Sequence, residues 1–333
     1  MNALVLESLG QLVLKTIELG PLPEGYARLR MLTAALNHRD EWIVQGQYAK
    51  IQYGVVLGAD GCGIVVEINA ADRRLLGQRV VINPNQNWGA DHRVQGNSYT
   101  ILGMPTHGTF AEYLDVPLDR LYPVPAHLSD EEAAAFPLAG LTAYRALFVQ
   151  GQFHQSNTVL VTGIGGGVAL FGLQYAKASG ACAIAVTSGA QWKLERAQQL
   201  GATVGVLYTG DAWEQELRRR LGGGFDLCLD GICGEPFNRL IAAANPAARI
   251  IVYGATLGVV PKLDVHRIFW KQLHIIGSTM GSDADFEAML RFIAEHRISP
   301  VVDAVFPLER YQDAFERMRK REQFGKIVLR IAE

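Results

Sequence analysis

Apolar residues follow two different rhythms along these 333 residues. Up to about residue 120 they alternate with polar ones in short runs. Ala27-Arg28-Leu29-Arg30-Met31-Leu32 and Phe110-Ala111-Glu112-Tyr113-Leu114-Asp115-Val116 are the clearest, with Gly63–Ile68 and Gly77–Ile82 between them. Turn residues bound each run, as expected of half-buried strands in a mostly antiparallel, partly closed β domain. From Val159 onward the apolar runs are short and continuous: Val159-Leu160-Val161, Ala183–Thr187, Val204–Leu207, Phe225–Asp230, Arg249–Gly254 and Leu273–Gly277. Separated by helical stretches such as Ala212–Arg220, they predict an α/β fold with a doubly wound parallel sheet buried on both faces. After Gly281 the pattern gives a helix over Asp285–His296, a strand near Pro300–Phe306, a helix over Tyr311–Lys320 and a strand over Ile327–Arg330. This tail is expected to return to the first domain. Tyr122-Pro123-Val124-Pro125 marks the crossing, because paired prolines break a strand ladder. The expected domains are therefore residues 1–123 with 284–333, and residues 124–283.

Composition narrows the partners. A formal charge of -2 leaves no basic stripe for nucleic acid, and no apolar run approaches the roughly 18 residues of a membrane span. The start, Met1-Asn2-Ala3-Leu4-Val5-Leu6-Glu7, lacks the pattern of a secretory signal. Cys62, Cys182, Cys228 and Cys233 include no CxxC pair and read as reduced thiols, so a cytoplasmic location is expected.

Chemistry enters at Val159-Leu160-Val161-Thr162-Gly163-Ile164-Gly165-Gly166-Gly167-Val168-Ala169, a strand, a glycine turn and a helix start. Glycines let the backbone approach a pyrophosphate and aim the unpaired N–H groups of the next helix at it. The helix through Lys177 and the strand at Ala183 complete the βαβ context that turns a weak motif into a dinucleotide site.

The succession of β domain, proline crossing, nucleotide domain and returning tail resembles the medium-chain dehydrogenase/reductase superfamily over essentially the whole chain, which implies a Rossmann domain with a GroES-like catalytic domain. Asn37-His38-Arg39-Asp40, Gly58-Ala59-Asp60-Gly61-Cys62-Gly63 and Ala139-Gly140-Leu141-Thr142-Ala143-Tyr144 carry the resemblance, in order. The glycine turn is similar to that of the zinc-free quinone reductase branch, with Ala169 where that branch has its last glycine. In zinc alcohol dehydrogenases of the superfamily, the positions matching the metal ligands fall here on Asn37, Ala59 and Leu138. Two of these cannot coordinate, so no metal is expected. The position of the proton-relaying hydroxyl falls on Arg39, and the lobe from Asn83 to Met104 holds no Cys for a structural zinc. His38, His92 and His107, with Asp40, Asp60 or Asp91, lack ligand spacing and read as loop side chains; Cys62, between glycines, reads as a packing residue.

The second nucleotide-domain strand ends in Val186-Thr187-Ser188-Gly189-Ala190-Gln191-Trp192-Lys193 with no carboxylate to hold ribose hydroxyls and repel a 2′-phosphate. Thr187, Ser188 and Lys193 suit an anion instead, so NADP(H) is expected over NAD(H). The bland alternative makes Ser188 a helix cap and Lys193 a surface charge. The resemblance adds Tyr208 at the adenosine end and Thr142 near the nicotinamide. The strand-end loops at Gly254-Ala255-Thr256 and Met280 are expected to line the nicotinamide cleft, and Lys326 either reaches the cofactor or faces solvent.

A hydride acceptor without zinc must already be electrophilic, as quinones and α,β-unsaturated carbonyls are. Asn37 is a candidate to orient a carbonyl or the nicotinamide ribose, Asp40 to fix His38 or Arg39, Trp42 to stack on a flat substrate, and water, Tyr48 or Tyr53 to deliver a proton. Packing roles stay open for each. The expected function is zinc-independent, NADPH-dependent hydride transfer to a quinone or enone. The alternatives are zinc-independent alcohol or aldehyde chemistry, or a non-catalytic NADPH-binding protein. The apolar edge at Leu273–Ile276 suggests a homodimer.

Overall fold

The computed structural model describes residues 1–332 and divides into two compact units, residues 1–139 with 282 onward, and Gly140–Gly281. Among the described residues no helix is long and apolar enough to cross a membrane.

The second unit carries six parallel strands: β1 (Thr158–Val161), β2 (Ala183–Ser188), β3 (Val204–Leu207), β4 (Phe225–Asp230), β5 (Ala244–Val252) and β6 (His274–Gly277), in the order β3-β2-β1-β4-β5-β6. Both neighbours of β1 are parallel to it, and the strand order reverses there, so the turn after β1 lies at the crevice where such sheets bind ligands. Helix α1 (Gly167–Ala178) follows that turn, with Leu170, Phe171, Leu173 and Tyr175 buried. At Gly172 it faces the Leu229 side chain of β4, where an added Cβ would lie 2.9 Å from Leu229 Cδ2. Ala169 is itself buried at 3% exposure, so the extra methyl is absorbed one turn before the tight contact. Strand β5 begins at Ala244, ahead of the Arg249 expected from the apolar pattern. The Asn245 side chain ties that irregular start to Gly224 and Asp226, which apolar periodicity does not register.

In the first unit the strand Tyr26–Ala35 is central. Asp60–Ile68 pairs along one edge, and the other edge is shared by Tyr113–Pro117 and Lys326–Arg330, all antiparallel to it. Val302–Pro307 extends the sheet parallel to Lys326–Arg330, so the tail does return to the first unit. Its limits differ from the expected 123 and 284. The unit runs past the proline crossing to Ala139 because the helix Asp130–Ala135 packs on Tyr26–Ala35 and Asp60–Ile68, with Thr33 Oγ1 donating to the Asp130 carbonyl at 2.7 Å. It resumes at Ser282, which N-caps the helix Asp283–Glu295. There Asp283 Oδ1 accepts from Asn83 (3.0 Å), Asn85 (2.9 Å) and Arg120 (2.6 Å).

Candidate active site

Sheet register assembles the polar centre of the first unit. Ala35 is opposite Asp60 on one side and Val328 on the other, which places Asp60, Lys326 and the chain leaving Ala35 at one end of the sheet. Two residues on, Asn37 starts the short helix His38–Val44 with extended backbone, and its N–H donates to Asp40 Oδ2 at 2.8 Å. The Asn37 side chain turns to the sheet end. Lys326 Nζ donates to Asn37 Oδ1 at 2.6 Å and to Asp60 Oδ2 at 2.9 Å, while Asn37 Nδ2 donates to the same Asp60 oxygen at 2.9 Å. The Leu138 N–H reaches Asp60 Oδ1 at 2.8 Å. Asp60 is 0% exposed, Lys326 4% and Asn37 9%, so this is a buried, charge-balanced cluster.

Beside it, Arg39 Nη1 donates to the Leu102 carbonyl at 2.8 Å and Nε to the Tyr48 hydroxyl at 3.3 Å, and the guanidinium lies over the Tyr48 ring. Arg39 Nη2 and Asp40 Oδ1 are buried with no hydrogen-bond partner among the described residues. Burial pushes the Asp40 carboxyl up to about 6, against the opposing pull of Arg39. Trp42 is half-buried with its ring tilted against His38, and Tyr53 is 55% exposed and joins none of these bonds. The structure thus brings Asn37, Asp40 and Tyr48 together and leaves Tyr53 at the surface. Sequence reasoning placed Lys326 at the cofactor or in solvent. Its ammonium is instead committed to Asp60 and Asn37. It also passed over Asp60 and Arg39 as site residues; pairing register, which periodicity does not fix, draws in Asp60, and the bonds to Leu102 and Tyr48 draw in Arg39.

Burial pushes the Cys62 thiol up to about 12, which suits a packing residue. His38, His92 and His107 are exposed, and among the described residues no three His, Cys, Asp or Glu side chains form a group able to hold a metal ion. At the three positions matching zinc ligands, the Asn37 oxygen is taken by an ammonium, and Ala59 and Leu138 offer only hydrocarbon side chains. These residues do not fit zinc.

In the second unit the turn fits a dinucleotide. Gly163 (φ 62°) and Gly165 (φ 121°) take left-handed backbone, and the start of α1 at Gly166 has no side-chain cap, leaving its first N–H groups for a phosphate. An added Cβ on Gly166 would meet nothing within 4 Å. Gly167 and Val168 open α1 half-buried. The Lys193 side chain folds over the turn, its Nζ 3.4 Å from the Cβ position of Gly165. Tyr208 lies against the end of β2, its hydroxyl 2.9 Å from the Cβ position of Gly189. Thr187 departs from its expected role. It is 0% exposed, and its hydroxyl accepts the Gly163 N–H at 3.3 Å, so it braces the turn instead of meeting the ribose phosphate. Ser188, 2% exposed, accepts the Ala190 N–H at 3.2 Å in a local turn. The half-buried Gly254 carbonyl accepts from Cys233 Sγ at 3.3 Å, and Thr256 Oγ1 donates to the Gly231 carbonyl at 3.3 Å, beside exposed Ala255. Thr142 Oγ1 lies 3.8 Å from Met280 Sδ, both buried.

Residues 23–126 match the alcohol dehydrogenase GroES-like domain, and residues 167–295 match the zinc-binding dehydrogenase family. The chain is 33% identical to the zinc-type alcohol dehydrogenase-like protein YogA of Leptosphaeria maculans, over 91% of this chain and 90% of that protein. This chain is a medium-chain dehydrogenase/reductase. It is 28% identical to acryloyl-coenzyme A reductase of Metallosphaera sedula, over 92% of each chain. The crystal structure of an NAD-dependent alcohol dehydrogenase superposes with a TM-score of 0.94 at 36% identity, covering 100% of both chains. The fold is the Rossmann and GroES-like pair of this superfamily, whose members are nicotinamide-dependent, and the chain is an oxidoreductase of that class.

Proposed function

We propose that this oxidoreductase transfers hydride from NADPH to a quinone or an α,β-unsaturated carbonyl compound without a metal. The observation that carries the reading is what stands at the zinc-ligand positions, where Ala59 and Leu138 offer no side-chain ligand and Asn37 is taken into a closed hydrogen-bonded cluster with Lys326 and Asp60. A site of this kind polarises a carbonyl by N–H donation, which suffices for a conjugated acceptor. The similarity to an acryloyl-coenzyme A reductase favours the same substrate class. NADPH is preferred because β2 ends without a carboxylate and Lys193 stands beside the turn.

When bound, the cofactor supplies the hydride. The glycine turn and Lys193 hold its phosphates, with Thr187 bracing the turn. In the first unit, Asn37 Nδ2 keeps one hydrogen without an acceptor among the described residues, and this donor meets the carbonyl oxygen as negative charge develops on it. The hydride would add to the far end of the conjugated system, the electrons of the attacked double bond would shift through it onto that oxygen, and water would donate the one proton that completes the reduction, leaving hydroxide. The exposed apolar side chains Val259, Val265, Phe269 and Trp270, with the one-sided edge strand β6, form the face of a homodimer. The protein acts in the cytoplasm with its thiols reduced. The test is a panel of quinones, enones, aldehydes and alcohols with NADPH and NADH. Turnover of conjugated acceptors with NADPH is expected; turnover confined to alcohols and aldehydes, or tight NADPH binding with no turnover at all, overturns it.

A further inference from the structure

The segments that match the zinc-ligand positions do converge in the structure, on a cation that the chain supplies itself. Asn37 contributes its amide, Asp60 follows Ala59, and Leu138 contributes its backbone N–H. At their centre is Lys326 Nζ, 2.6 Å from Asn37 Oδ1 and 2.9 Å from Asp60 Oδ2. We propose that the Lys326 ammonium takes the place of a metal cation in this site and is the positioning residue that sets the Asn37 amide for the substrate carbonyl; this rests on the reading of Asn37 above.

The orientation follows from donor and acceptor chemistry. An ammonium has three donors and no acceptor, so the amide oxygen must face it and the amide nitrogen must face away. Asp60 Oδ2, which also accepts from the ammonium, fixes that nitrogen by taking one of its hydrogens at 2.9 Å and leaves the second to the substrate. Asp60 is itself held by the Leu138 N–H and, through its carbonyl, by Thr109 Oγ1 at 2.8 Å. Lys326 is fixed by the ladder, since the Ile327 carbonyl accepts the Leu36 N–H at 2.9 Å. One ammonium and one carboxylate cancel, and a divalent cation entering here meets Lys326 before it meets a free carboxylate. The cluster therefore gives a preset hydrogen-bond donor backed by a fixed positive charge, with metal excluded.

The test uses the full chain with Lys326→Ala, which leaves a space bounded by the Asp60 carboxylate and the Asn37 oxygen. With NADPH and a conjugated carbonyl, kcat is expected to fall on the order of 100-fold, as for loss of one oxyanion donor. KM for NADPH is expected to stay within about twofold, since the cofactor phosphates are held elsewhere. Ethylammonium, which restores N–H donors, is expected to recover at least about tenfold of the lost rate and to raise the melting temperature of the variant by filling its site. Tetramethylammonium, a cation without N–H, should do neither, and wild type should respond to neither. Full activity in Lys326→Ala, equal rescue by both cations, or no melting shift with ethylammonium overturns the proposal. If Lys326→Ala does not fold, the neutral pair Asp60→Asn with Lys326→Met is used; a folded double variant with wild-type kcat overturns it equally. Absence of wild-type turnover with every conjugated carbonyl would defeat the functional reading, while the melting arm would still decide the place of Lys326.

Discussion

Replacing Asp40 by Asn removes one carboxyl whose ionisation the fold resists. Asp40 is 0% exposed, its Oδ1 has no hydrogen-bond partner among the described residues, and burial raises it from 3.8 to about 6 despite Arg39 Nη1 at 3.8 Å. The folded chain therefore holds this proton more tightly than the unfolded chain. Its contribution to stability is complete below 3.8 and is lost as the pH rises through about 6. The full difference corresponds to about 3 kcal/mol, of which roughly half returns between pH 8 and pH 5. In Asp40→Asn the amide oxygen still accepts the Asn37 N–H, and there is no proton to lose. Thermal melts of both proteins across pH 5 to 8 read the difference. The variant is expected to gain on wild type as the pH rises, by roughly 3–5 °C over this range for a unit of this size. A difference that is flat with pH, or that grows on acidification, refutes the reasoning.

Lys193→Ala should weaken NADPH by roughly 10- to 100-fold, the value of a charge-assisted hydrogen bond, and NADH by less; fluorescence titration measures both. Equal losses would assign Lys193 to the pyrophosphate alone. Trp270→Glu puts a charge on a side chain that is 82% exposed within the apolar face beside β6, and sedimentation at micromolar concentration should show monomers in place of dimers. An unchanged dimer would move the interface elsewhere.

The two rhythms of the sequence carried the architecture. Continuous apolar runs located all six strands of the second unit, and β3 and β4 coincide with the runs at Val204–Leu207 and Phe225–Asp230. The phosphate turn was equally legible because it is local: strand, glycines and helix start lie within a dozen residues. The first unit's centre was not, because Asn37, Asp60 and Lys326 are distant in sequence and meet only through the register on either side of Ala35. A one-residue slip there would turn Asp60 to the opposite face. Thr187 shows the same limit on a smaller scale. Its position at the strand end was visible, but not the direction of its hydroxyl, which accepts the Gly163 N–H.

The central claim is hydride transfer at a site whose cation is Lys326 and not a metal. Its most direct test is turnover of NADPH with a conjugated carbonyl by protein stripped with a chelator, with metal content measured in the same sample. Undiminished turnover at well below one metal ion per chain, unaltered when zinc is returned, is the expected result. Turnover lost on stripping and restored in proportion to zinc taken up would contradict the account.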